Sequence, residues 1–238
     1  MDNGHLLRGR FVFLSASFPS ERRAPQFFQS ASPDEVTQAV VATVRAILSS
    51  RGRLVFCGHP TISPLVLMEG EKHLPRESGD RKALKAEGRS LVVVYQSEVF
   101  GTVVPGATMK LFQSGLADLM WTKAAAGELP PRGTERVVGE GENSLRTMRE
   151  VMLRRNRPVA AIFIGGMEGV MEEASLFREV FPNHPMYFIA GPGGAASMAG
   201  SDYRLRLVAP SWLKKEDLGS RAYPPLMQRI MLDMASRF

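Results

Sequence analysis

The residues best suited to chemistry lie in one short stretch, Ile164-Gly165-Gly166-Met167-Glu168-Gly169-Val170-Met171-Glu172-Glu173. It directly follows an apolar run and opens a helical pattern. Glycines at such a place let the backbone approach a ligand closely, and the free N–H groups and positive end of the helix favour a phosphate. A carboxylate one turn inside that helix faces the same cleft, where it can hydrogen-bond sugar hydroxyls or act as acid or base. The plainer alternative is a strand-to-helix turn that uses glycine for geometry alone, but three glycines plus paired Glu exceed what a turn needs. Upstream, Arg146 and Arg149 lie three apart, so they share a helix face. An Arg there either clamps a phosphate bidentately or points into solvent. His59 follows Gly58 at the end of a second apolar run. It is either a contact to phosphate or sugar, or a hydrogen-bonded structural residue before Pro60. Ser15 and Ser17 have no matched His–acid pair, which argues against nucleophilic hydrolysis by serine. The other histidines, His5, His73 and His184, are scattered, so no metal is expected, and no cofactor is called for.

These residues need elements to position them, and strand and helix signals alternate along the chain. Phe11–Ala16 is a short apolar run before Ser17-Phe18-Pro19, hence strand then loop. Ser32-Pro33-Asp34-Glu35 is a helix start, with a capping Ser, a Pro at the first position and an acid three residues after the cap. Val36, Ala39, Val40, Thr43, Val44, Ile47 and Leu48 then recur at helical spacing, and Gly52 ends the helix. Arg53–Cys57 is a second strand, and Ser63-Pro64 starts a short helix toward Glu69. Residues 70–90 are charged and weakly patterned, a loop or an exposed helix. Leu91–Tyr95 is a third strand, Met109–Met120 a helix ending near Trp121, and Gly127–Asn143 a mobile connection. Ser144–Arg155 reads as a helix, Val159–Ile164 as a fourth strand, Val170–Phe181 as a helix and Met186–Ala190 as a fifth strand. Gly191–Gly200 is a glycine-rich loop, Tyr203–Val208 a candidate sixth strand, and Leu226–Ser236 a closing helix.

Strands separated by helical patterns imply βαβ units. The expected fold is a Rossmann-like three-layer α/β sandwich with a mostly parallel sheet of five to seven strands, built as a single domain over residues 1–238. Ligands of such sheets bind outside the carboxyl ends of the strands, which singles out the loops 15–23, 57–63, 96–107, 165–169 and 191–200. The length of 238 residues suffices for a real core without disulfide or metal. A single cysteine, Cys57, excludes a disulfide framework and suits a reducing, cytoplasmic setting. No apolar run approaches the roughly 20 residues that span a bilayer, and no membrane partner is expected. The 30 basic and 24 acidic residues give a formal charge of +6. That permits anionic ligands, from nucleotides to nucleic acid, without choosing among them.

Arg149, the strand Ala160–Ile164 and the loop Gly165–Glu173 resemble the core of the SLOG superfamily, which joins the Smf/DprA and Lonely Guy proteins. The Lonely Guy enzymes carry a helical Arg-Lys pair and a Pro-Gly-Gly-x-Gly-Thr-x-x-Glu loop. Counting back from Gly165, Arg149 falls on that functional Arg. Glu173 falls on the functional Glu when the loops are aligned at Gly169, and Glu172 beside it is the other candidate for facing the pocket. Ser15-Ala16-Ser17 is similar to the family's phosphate loop, and Cys57-Gly58-His59-Pro60 stands where the family has a glycine run. Four departures set this chain apart: Ile164 replaces the Pro, Val170 replaces the Thr, Glu150 replaces the Lys, and one extra residue separates the glycine pair from Gly169. An inserted residue moves the carboxylate relative to a bound sugar, and about 1 Å of misplacement can cost on the order of 100-fold in rate. The fold therefore carries over more safely than the catalysis. Leu-Ser-Ala-Ser-Phe-Pro-Ser, Gly-His-Pro and Ile-Gly-Gly-Met-Glu-Gly look like the SLOG branch associated with bacterial conflict and antiviral systems.

The resemblance implies a protein that binds a nucleotide or nucleotide-derived signal as a sensor in bacterial defence. Gly165–Gly169, Ser15 and Ser17 would hold phosphate, Glu173 ribose, and Arg149 would neutralise charge. The alternative is hydrolysis of an N-glycosidic bond in a nucleotide or NAD-like molecule, with Arg149 and Glu173 catalytic. Single-stranded DNA binding ranks last, because the basic residues are not interleaved with aromatics along one face. The resemblance also implies homo-oligomerisation and leaves room for an effector protein as partner. Leu226, Met227, Ile230, Met231 and Met234 are apolar enough to pack on a partner or on the chain's own sheet.

Overall fold

The computed structural model describes residues 6–88, 90–130, 141–201 and 213–238. Six strands form one all-parallel sheet: β1 (Phe11–Ser17), β2 (Arg53–Cys57), β3 (Val92–Ser97), β4 (Ala117–Thr122), β5 (Ala160–Gly165) and β6 (Met186–Ile189), in the order β4-β3-β2-β1-β5-β6. The chain winds outward from β1 to β4, then returns to lay β5 against the other edge of β1. The strand order therefore reverses between β1 and β5, where the register sets Ser15 beside Phe163 and Ser17 beside Gly165.

Alternation along each buried strand sends side chains into two cores. On one face Val12, Leu14, Leu54, Phe56, Val94 and Ile162 pack under α2 (Pro33–Ser49) and α9 (Tyr223–Ala235). On the other, Phe13, Val55, Tyr95 and Phe163 pack under α6 (Glu142–Asn156) and α7 (Glu168–Val180). Phe13 stacks on Phe177 of α7 at 6.1 Å, and Phe163 stacks on Phe188 at 4.7 Å. Helices on both faces complete the three-layer Rossmann-like sandwich. Among the described residues no helix is long and apolar enough to cross a membrane.

The start of α2 follows its sequence signals: Pro33 occupies the first turn and the Ser32 side chain accepts from Glu35 N. Its end differs. The left-handed residue is Arg51, with φ of 55°. Gly52 serves instead as a small neighbour, since a Cβ there would lie 3.0 Å from Ile47 O and 3.1 Å from Leu7 Cβ. Between β2 and β3 run α3 (Ser63–Gly70), a 3-10 turn (Glu71–His73) and α4 (Ser78–Ala86).

Two further expectations are corrected. The helix read over Met109–Met120 is a helix and a strand: α5 (Gly106–Gln113) stops, Gly115 turns the chain at φ of 79°, and β4 follows as the sheet's edge. The apolar residues of that stretch fit helical spacing, but a left-handed glycine inside it breaks the helix. The stretch 191–200 is a loop only at its beginning; Gly194–Ala199 forms the short helix α8, with Ala195 and Ala196 buried in the core. Of the two alternatives for the apolar stripe Leu226, Met227, Ile230, Met231 and Met234, the structure shows packing within the chain: the stripe is at most 3% exposed and packs in the core with α2. The candidate strand Tyr203–Val208 lies outside the described residues, as does most of Gly127–Asn143.

Candidate functional site

The glycine pair after β5 is shaped by close packing. Gly165 and Gly166 have φ of 60° and 83°. A Cβ on Gly165 would lie 2.8 Å from Ser17 O, and one on Gly166 only 2.2 Å from Val170 Cγ2. Gly166 N donates to Ser17 O at 2.7 Å, and Ala195 N donates to Gly166 O at 3.0 Å. The pair thus ties β5 to β1 and to α8, and the Gly166 amide is already used within the fold. The amides that can serve a ligand begin one residue later, where α7 starts at Glu168 behind Met167, which offers no capping side chain. An uncapped first turn carries free N–H groups and the positive end of the helix dipole.

Beside this turn lies a buried network of charges. Ser15 Oγ donates to Glu173 Oε2 at 2.5 Å, and Arg149 Nε donates to Glu173 Oε1 at 2.9 Å. Arg149 Nη1 donates to Glu172 Oε2 at 2.9 Å. The Arg149 and Glu173 side chains are 12% and 11% exposed, whereas Glu172 is 65% exposed. Arg149 Nη2 closes over the first turn of α7, 3.3 Å from where a Cβ on Gly169 would be. Burial opposes the Arg149 charge, but the Glu173 and Glu172 carboxylates outweigh it and the net displacement is upward. Arg149 stays cationic.

Cys57 belongs to the same cluster. Its thiol is 4.0 Å from Met152 Sδ and interacts with both Glu173 and Arg149. Burial, reinforced by the Glu173 charge, pushes the thiol well above its ordinary range against the opposing pull of Arg149. It is a neutral neighbour, not a nucleophile.

At the end of β2, Gly58 O accepts from Gln96 Nε2 at 2.9 Å, and a Cβ on Gly58 would sit 2.3 Å from that nitrogen. His59 is half-buried, and its Nδ1 lies 2.9 Å from Thr61 Oγ1 at the turn into α3. Burial first, and then the Arg23 charge, pull the imidazole down to about 4, so it is neutral near pH 7. Arg146 is on the outer side of α6, 61% exposed, paired with Glu150 at 3.2 Å and Glu179 at 3.4 Å.

The structure therefore brings Ser15, Arg149, Glu172 and Glu173 together, with Ser17, Gly165, Gly166 and Gly169 around them. It leaves Gly58 and His59 one strand away, at the end of β2. Sequence reading missed the place of Cys57 in the cluster and the Gln96 contact under Gly58. A polar Gln96 closing a Val-rich buried strand was the available signal. It also missed Gln26, on the short helix α1 (Pro25–Phe28), which donates to Glu168 Oε1 at 2.9 Å and holds the first loop against α7. Among the described residues no three His, Cys, Asp or Glu converge as metal ligands.

A glycine pair at the reversal of a parallel sheet, an uncapped helix behind it and an Arg–Glu pair spanning α6 and α7 together suggest a family, and a family model decides it. The model of the SLOG cluster3 family matches residues 26–210. The chain belongs to the SLOG cluster3 family. No curated protein matches it. In this SLOG protein the matched region holds Arg149, the glycine loop and both carboxylates. β1, with Ser15 and Ser17, and α9 lie outside it.

Proposed function

We propose that this SLOG protein binds a nucleotide or a nucleotide-derived signal in the crevice beyond β1 and β5, as a sensor rather than as a catalyst. One observation carries the reading. At the reversal of strand order, where ligands of such sheets bind, the first turn of α7 is uncapped and the Arg149 guanidinium lies over it. Free amides and a fixed cation together suit phosphate oxygens. Ser17 borders the same turn, and ribose hydroxyls would face Glu173, whose carboxylate oxygens can each accept a second bond. The sensor reading is favoured because both Glu173 oxygens already hold partners inside the fold. A role for the signal in bacterial defence follows from the resemblance stated above.

The second reading, hydrolysis of an N-glycosidic bond, draws on the Arg149–Glu173 pair itself. A buried carboxylate beside the crevice can stabilise developing positive charge on a sugar. A thermal-shift panel tests the pocket that both readings share, and chromatography of the ligand that binds then separates them. AMP, NAD, ADP-ribose, its cyclic forms and cyclic dinucleotides are compared with adenosine. A ligand at 100 times its dissociation constant stabilises the folded state by about 2.7 kcal/mol. We expect one phosphate-bearing class to raise the melting temperature and adenosine to leave it unchanged. Absence of any shift contradicts the pocket. Free base released from the binding ligand, seen by chromatography, establishes the hydrolase instead.

A further inference from the structure

The contact that most needs a role is Glu172 on Arg149. Glu173 alone balances the charge of the buried guanidinium through Nε; it is itself buried, and Ser15 fixes its position. Glu172 is different. It is 65% exposed, its neighbour along the chain already neutralises Arg149, and its carboxylate occupies Nη1 at 2.9 Å. The Glu172 end of the pair is open to solvent, where a carboxylate is well hydrated and holding the side chain in place costs entropy, so this end exchanges for a better anion. A second partner for the released carboxylate stands nearby. Arg146 is one helical turn from Arg149, and it lines, with Glu172, Glu168, Met171 and Glu179, a surface cavity of about 400 Å³ between α6 and α7. Among the described residues Arg146 is itself held by exposed or half-exposed carboxylates, Glu150 at 3.2 Å and Glu179 at 3.4 Å.

We propose that Glu172 is a placeholder for the ligand's phosphate. In the empty protein it sits on Arg149. A phosphate arriving at the start of α7 takes over Nη1, and Glu172 moves across the cavity to Arg146. Glu173 keeps its hold on Nε throughout, so the guanidinium stays aimed. Glu172 thereby sets an anionic threshold: a neutral ligand cannot replace a carboxylate on Arg149. This inference rests on the phosphate site proposed above and adds the residue that regulates it.

The test is calorimetric titration of AMP and of inorganic phosphate into the intact protein and three variants. Removing the competing carboxylate with Glu172→Gln tightens binding by about fivefold, which corresponds to ~1 kcal/mol at tenfold per 1.4 kcal/mol. Arg146→Ala weakens binding by about threefold in the wild-type background, because the displaced carboxylate loses its second partner, on the scale of one exposed ion pair. In the Glu172→Gln background the same Arg146→Ala change has no effect. That non-additivity is what a simple change of surface charge would not produce. Wild-type binding with Glu172→Gln no tighter, or with Arg146→Ala equally costly in both backgrounds, overturns the placeholder and leaves the phosphate site standing. No binding of either probe by any of the four proteins overturns both. Glu172 is a surface residue, so its variant folds.

Discussion

Two neighbouring glutamates on one helix do different work because one is buried and the other is not. Glu173 and Arg149 are each nearly enclosed, so removing one charge strands the other in a poorly solvated place. We expect Glu173→Gln to cost about 2–3 kcal/mol in urea unfolding, and Glu172→Gln less than ~1 kcal/mol. Equal costs would mean that Glu173 is not the anchor of the cluster. His59 allows a pH test. Its unfolded pKa is about 6.5, and the fold holds it down to about 4. Between those values the unfolded chain binds the proton and the folded chain does not, so His59 withdraws stability as pH falls through that window. The stability of the wild type relative to His59→Gln therefore declines from pH 6.5 to pH 4 and is level above it. A difference independent of pH would show that the imidazole is not held neutral. The residue types of the site were legible in the sequence, and the resemblance singled out Arg149 and Glu173 by their distances from the glycine loop. Their partners were not. Ser15 is 158 positions from Glu173, and only the adjacency of β1 and β5 joins them.

At the scale of elements, the loops carry the strictest demands. Gly193 has φ of 76°, and a Cβ there would lie 1.8 Å from Ser30 O, a backbone atom that cannot step aside. The same corner is tied by Ser32 N to Pro192 O at 3.0 Å and by Gly194 N to Ser30 Oγ at 3.3 Å. Gly127 also has positive φ, at 82°, but open space around it. We expect Gly193→Ala to lower stability by at least ~2 kcal/mol more than Gly127→Ala, which bears only the left-handed strain of about 1 kcal/mol. Comparable losses would show that the corner is loosely packed. The elements that were easy to read carried two agreeing signals, as α2 did with its cap, its Pro and its apolar spacing. β4 carried one that disagreed. Its short apolar run sits after a helix whose pattern it continues, and the break depends on the sign of φ at Gly115, which spacing does not report. The short helix α8 was hidden for the opposite reason. Its glycine-rich lead suggests a loop, while Ala195 and Ala196 find a partner surface on β5 that no local pattern announces.

At the scale of the molecule, an all-parallel sheet covered on both faces leaves one place where strand order reverses, and the cluster of Ser15, Arg149, Glu172 and Glu173 is built beside it. Helix α9 lies beyond the part matched to the SLOG cluster3 family, yet it completes the core on the far face. Tyr223 Oη donates to Glu35 at 2.9 Å, and Thr43 Oγ1 donates to Met227 Sδ at 3.2 Å. Helix α9 thus packs the far face from within the chain, while the cluster of Ser15, Arg149 and Glu173 stands at the carboxyl ends of β1 and β5. The most direct test of a phosphate site there is one added charge. An Asp at Gly169 stands in the first turn of α7, where a carboxylate favours the helix. Its Cβ requires the Arg149 guanidinium, at 3.3 Å, to yield only slightly. Gly169→Asp should therefore remain folded, with an unchanged circular dichroism spectrum, and place its own carboxylate where the proposed phosphate would sit. Calorimetric titration of the wild type and of Gly169→Asp with the nucleotide that gives the largest thermal shift is the measurement to make. We expect binding by the wild type and its loss, by at least about 100-fold or ~2.7 kcal/mol, in a folded variant. Equal affinity in the two proteins would place the phosphate elsewhere and contradict the site.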